Sequence, residues 1–127
     1  MNLLLDTNSL YWWLHDPPRL SSAAHRDISS SSNSVVVSAV VPWELAIKTN
    51  LGKIDGQALL EIWERKLADE GFTELPIDSA HAIRAGLLPL HHRDPFDRML
   101  AAQAHATGWP IVSADPVFER YGVRRIW

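Results

Sequence analysis

Residues 2–8, NLLLDTN, place three consecutive leucines directly before an acid, Asp6, and a short polar run. Three apolar side chains in a row do not alternate, so this segment reads as a strand buried on both faces, over 2–6. The same pattern returns at Val35, Val36 and Val37, and again at Ile111, Val112 and Ser113. Residues 123–127 read as a last strand, and 72–77 as an edge strand with Pro76 near its end. Between these runs the spacing predicts helices over 8–14 (capped by Asn8 or Ser9), 20–31, 40–51 and 56–70. Two more run from Asp78 to about Leu88 and from Pro95 to Thr107, and a helical turn covers 115–120. Gly52 and Gly71 stop two of these helices. Short apolar strands alternating with helices imply an α/β fold in three layers. Its mostly parallel central sheet of about four to five strands is flanked by helices. Ligands of such sheets bind beyond the carboxyl ends of the strands, where Asp6 and Asp115 fall.

The chain has 127 residues, 46% of them apolar, which suits one domain over 1–127 with a single core. No apolar run approaches the ~20 residues of a membrane span, and the start lacks a basic region and cleavage site of a signal peptide. The absence of cysteine removes disulfides, thiolate nucleophiles and zinc–thiolate sites, and fits a cytoplasmic protein. With 12 basic and 15 acidic residues the formal charge is −3, which is not the footprint of a protein that coats nucleic acid. Any attraction for a polyanion must be local.

Four acids sit where apolar segments end or on apolar helix faces: Asp6, Glu44, Asp97 and Asp115. Brought to one sheet edge, they would repel each other unless a divalent cation held them. Each also has a plainer reading. Asp6 suits a turn or a helix cap. Glu44 shares a helical face with Val40, Ile47 and Leu51, and Lys48 follows it at i,i+4. Such a pair contributes only about 0.2–0.5 kcal/mol, less than the cost of burying a carboxylate, so a functional role is favoured. Asp94 precedes Pro95 and is most simply an N-cap, with an accessory role left open. Asp97, three residues on, could belong to a capping box. It also shares a face with Ala101 and Ala104, small residues that let a helix approach the sheet, so it is placed in the site. Asp115 precedes Pro116 and is either a cap or the fourth acid.

No pair among the six histidines has convincing metal-binding spacing. His91 and His92 are adjacent, diverge, and read as loop residues, with contact to substrate or ordering of the acidic cluster left open. Trp12 and Trp13 cannot both face one core, which points one of them at a partner.

Taken together, LLLDTN, PWELAIKTNLGKI, LPLHHRDPFDRMLAAQA and VSADPVFERYGVRRIW resemble the PIN-domain family, and within it the VapC-type toxins of type II toxin–antitoxin pairs. The resemblance covers almost the whole chain. It implies a PIN-like fold and a Mg²⁺- or Mn²⁺-dependent endoribonuclease, with metal and catalytic acids at Asp6, Glu44, Asp97 and Asp115. Ser113 matches the small hydroxyl residue that often precedes the last acid by two. Asn8 stands where relatives often carry another polar residue, and Val41 and Pro42 where a small residue is common. Asp94, Lys48, Arg93 and Arg98 are accessory or phosphate-contacting candidates. The implied partners are RNA, a VapB-type antitoxin and a second copy of the chain, with no membrane. Two alternatives are a non-catalytic PIN-like binding module and another Mg²⁺-dependent phosphohydrolase. A haloacid dehalogenase-type phosphatase wants a second Asp two residues after Asp6, where this chain has Asn8. A receiver-like domain wants adjacent acids near the first strand, and none are present.

Overall fold

A computed structural model describes all residues, 1–127. The chain runs β1 (Asn2–Leu5), α1 (Thr7–His15), α2 (Ser22–Ser29), β2 (Ser34–Ser38), α3 (Val40–Asn50), α4 (Gln57–Glu61), α5 (Trp63–Glu70) and β3 (Thr73–Leu75). It continues with α6 (Ser79–Leu87), α7 (Pro95–Thr107), β4 (Ile111–Val112), α8 (Val117–Arg120) and β5 (Arg125–Ile126). The five strands form one sheet in the order β3-β2-β1-β4-β5. Every pairing is parallel, so the expected mostly parallel sheet is parallel throughout. Leu3, Leu4 and Leu5 are fully buried, as an unalternating run in a central strand requires.

This strand order decides where a ligand can sit. From β1 the chain builds outward to β2 and β3, then returns to the other side of β1 to build β4 and β5. The connections leave β1 and β4 in opposite directions, opening a crevice between their carboxyl ends. Asp6 follows β1 directly, and Ser113 follows β4.

Local chemistry explains the helix boundaries around this crevice. Asp6, rather than Asn8 or Ser9, caps α1: its carboxylate accepts from the Ser9 N–H at 2.8 Å. Ser9 instead sends its hydroxyl to the Val112 carbonyl at 2.9 Å, sewing α1 to β4. Ser38 Oγ accepts from the Val40 N–H at 3.1 Å where β2 passes into α3. Asp94 caps α7, accepting from the Phe96 and Asp97 amides at 2.8 and 3.4 Å with Pro95 in the first turn. Gly108 ends α7 at a φ of 74°, a left-handed conformation that a Cβ would disfavour.

Several expectations change. The single helix over 56–70 is two, broken at Ile62. Leu51 lies beyond the last turn of α3 and is exposed, so the apolar stripe around Glu44 ends sooner than its spacing suggests. Trp12 and Trp13 both find partners within the chain. Trp12 packs on Trp127 beneath the Arg19 guanidinium, and Trp13 contacts Phe72 and donates to Glu70. The core is one cluster of 26 buried residues. No helix is long and apolar enough to cross a membrane.

Candidate metal centre

At the mouth of the crevice lies a cavity of about 120 Å³ lined by eight residues, none of them apolar. Five are acids, Asp6, Glu44, Asp94, Asp97 and Asp115, and the others are Thr7, Asn8 and Lys48. The fold thus brings all four proposed acids to one place from β1, α3, α7 and the β4–α8 turn.

Asp6 is 7% exposed and held on both sides. Besides the Ser9 amide on Oδ1, its Oδ2 accepts from Ser113 Oγ at 2.5 Å. That hydroxyl oxygen in turn accepts from the Asp115 amide at 3.0 Å, which leaves its proton for Asp6. Burial pushes the Asp6 pKa up, the bonds from Ser113 and Ser9 pull it down, and the charge of Glu44 raises it again. The two serines orient Asp6 without spending all of its oxygen lone pairs.

Glu44 is 6% exposed. Thr7 Oγ1 donates to its Oε1 at 2.6 Å, and Lys48 Nζ meets its Oε2 at 2.6 Å. The i,i+4 ion pair and the place in the cavity therefore coexist. Lys48 is the cavity's one cationic lining residue, set against five acids.

Asp97 rides on the sheet-facing side of α7, where Ala101 and Ala104 are buried and let the helix come close. Its pKa rises from the ordinary 3.8 to about 7. Burial is the largest cause, the charges of Asp94 and Asp6 add to it, His92 opposes it, and Glu44 contributes last. Asp115 is half-exposed and uses Oδ1 to accept from the Val117 amide at 2.9 Å. It is thus a cap for α8 and a cavity wall at once.

Two assignments need revision. Arg98 is not available to phosphate. Its guanidinium is buried and donates to the carbonyls of Ala85, Gly86, Leu88, Pro89 and His92, at 2.9 to 3.3 Å. It gathers the carboxyl end of α6 and the loop leading to α7, where a fixed positive charge also suits the helix dipole. His92, read from sequence as a loop residue, reaches the site: Nε2 lies 3.0 Å from Asp97 Oδ2 and 4.0 Å from Asp115 Oδ2. Thr7 was visible only as a small polar neighbour of Asp6, and its bond to Glu44 depends on how α1 packs beside α3.

The donor set fits a hard divalent cation. It consists of carboxylate oxygens, with no thiolate. Burial is the main cause of the raised pKa values of Asp6 and Asp97, with neighbouring carboxylates adding to it, and a bound cation would offset both.

A clustered acidic crevice at a sheet switch point is a place for a ligand, and its carboxylates suit a hard divalent cation. The PIN domain family model matches residues 3–124, and the chain belongs to that family. Ribonuclease VapC22 of Mycobacterium tuberculosis is 32% identical over 113 residues, covering 89% of this chain and 86% of that protein. Among solved structures, VapBC2 from Rickettsia felis, bound to a DNA fragment from its promoter, aligns with a TM-score of 0.71 at 16% identity, covering all of both chains. VapBC-5 from Mycobacterium tuberculosis aligns with a TM-score of 0.63 at 20% identity, over 98% of this chain and 97% of that one. At such identities these structures speak to the fold, which agrees with the three-layer α/β architecture.

Proposed function

We propose that this chain, a single PIN domain over 1–127, is the toxin of a VapBC-type toxin–antitoxin pair, and that it hydrolyses RNA phosphodiester bonds with a divalent cation, Mg²⁺ or Mn²⁺. One observation carries the reading: carboxylates separated by up to 109 residues in sequence (Asp6 to Asp115) line one small cavity. The likeness to a protein named as a VapC ribonuclease supports the substrate class.

Asp6 and Asp97 are the principal ligands in this proposal, with Glu44 and Asp115 completing the set directly or through water. A divalent cation bound there would supply an activated water at neutral pH and neutralise charge growing on the phosphate. Asp6 holds its place through Ser113 and Ser9, so the ligand geometry exists before substrate arrives. Lys48 pairs with the buried Glu44 carboxylate and sets a cation at the cavity wall, within the local field that a chain of net charge −3 needs to attract RNA. Arg93, exposed on the loop beside His92, is a second phosphate contact, and Asn8 at the rim is a polar one. Asp94 remains the cap of α7 and adds negative potential. The partners proposed are RNA, a VapB-type antitoxin and a second copy of the chain, acting in the cytoplasm where RNA is available.

The test is cleavage of RNA by the purified protein with Mn²⁺ or Mg²⁺, with and without chelator. Asp6→Asn should retain the fold and lose cleavage by at least a hundredfold. Cleavage by this variant at the wild-type rate, still abolished by chelator, would refute the assignment.

A further inference from the structure

We propose that His92 is a positioning residue of this centre: it donates Nε2–H to Asp97 and stays outside the metal's ligand set. The inference rests on the reading of the carboxylates as a metal site.

The ring nitrogen that carries the proton is the one that cannot bind a cation. The Arg93 backbone amide donates to His92 Nδ1 at 3.1 Å. An amide N–H can only donate, so Nδ1 is the bare acceptor and the ring proton sits on Nε2. Nε2 then faces Asp97 Oδ2 at 3.0 Å as a donor. For Nε2 to ligate a cation, the proton would have to move to Nδ1, leaving two N–H groups pointed at each other across 3.1 Å.

The loop makes this placement hard to abandon. The His92 amide donates to Tyr121 Oη at 3.0 Å, and Tyr121 Oη donates to the Pro89 carbonyl at 3.1 Å. The His92 carbonyl accepts from Arg98 at 3.3 Å. The residue is thus anchored on both sides of its Cα, through α7 and through the end of α8. His92, Asp94 and Asp97 do bring one potential ligand atom each within 4.8 Å of one another, spacing that suits a metal. Of the three, His92 is the one otherwise engaged, because its Nε2 carries the proton; Asp94 spends only Oδ1 on the α7 cap and keeps Oδ2. The consequence is an all-oxygen centre in which His92 occupies Oδ2 of Asp97 and leaves Oδ1 to the cation. Bound through one oxygen, Asp97 takes a single defined orientation.

Two measurements decide this. Electron spin-echo spectroscopy of the Mn²⁺-loaded full chain should show no directly coordinated nitrogen, and long-range ¹H–¹⁵N correlation of the metal-free protein should show the Nε2–H tautomer for His92. In Mn²⁺ titrations, His92→Gln, which can place an N–H at similar reach, should bind within about threefold of wild type. His92→Ala should bind roughly ten- to a hundredfold more weakly. A nitrogen coupling in the wild type that disappears in His92→Gln would make His92 a ligand and overturn the proposal. So would equal affinities in all three proteins. Absence of Mn²⁺ binding in the wild type would remove the metal site itself and this inference with it. The spectroscopic arm uses the wild type, so a His92→Ala variant that fails to fold leaves the decision intact.

Discussion

Replacing Asp97 by asparagine should stabilise the metal-free protein, and the gain should grow with pH. Asp97 has a pKa near 7 in the folded chain, against an ordinary 3.8. Between those values the folded state holds a proton that the unfolded state has released. The unfolded state therefore binds fewer protons there, and stability falls as pH rises. The favourable contribution is complete below the ordinary value and is lost as pH passes through about 7. Three pH units of displacement correspond to about 4 kcal/mol, mostly expressed between pH 4 and pH 8. Asparagine removes the charge and keeps an oxygen for His92. In chelator at pH 8, Asp97→Asn should gain up to about 4 kcal/mol in urea unfolding, roughly 10 °C or more in Tm. At pH 4 the two proteins should be nearly equal. Mg²⁺ should narrow the difference at pH 8, since cation at a hundred times its Kd adds about 2.7 kcal/mol to the wild type. A variant less stable than wild type at pH 8 in chelator would refute the view that the buried, crowded charge of Asp97 costs the metal-free fold stability.

Ser113→Ala removes the hydroxyl that holds Asp6 and lowers its pKa. The Asp6 pKa should rise further, moving the acidic limb of the cleavage pH profile to higher pH, and urea unfolding should show a loss of about 1–3 kcal/mol. An unmoved profile would mean that Asp6 does not govern that limb. Arg98→Lys cannot span five carbonyls, so it should lose about 2–3 kcal/mol in urea unfolding. Amide exchange in residues 85–93 should rise with it, and unchanged exchange there would contradict the role given to this guanidinium.

The parts of the centre legible in the sequence were those that local pattern exposes. Asp6 ends an unalternating apolar run, Ser113 and Asp115 follow another, and Glu44 interrupts an apolar helix face. Asp97 could be told from a simple cap only by the small residues Ala101 and Ala104 below it. Arg98 was misread because its carbonyl partners lie in a turn with no periodicity, and an arginine near acids looks free to bind phosphate. The sequence leaves the part played by His92 open for a related reason. Its role depends on a backbone amide that sets its tautomer and on Tyr121, 29 residues away. The break at Ile62 and the exposure of Leu51 follow from where the core ends, which helical spacing alone does not encode.

The proposed function needs Asp6 and Asp97 to hold a divalent cation between them. Crystals of the protein soaked in Mn²⁺ and measured at the manganese edge test it most directly. The account predicts an anomalous peak within the cavity, at oxygen-ligand distance from both carboxylates and farther from His92. A map with no peak there at saturating Mn²⁺, or with the ion seated on the imidazole, would contradict it.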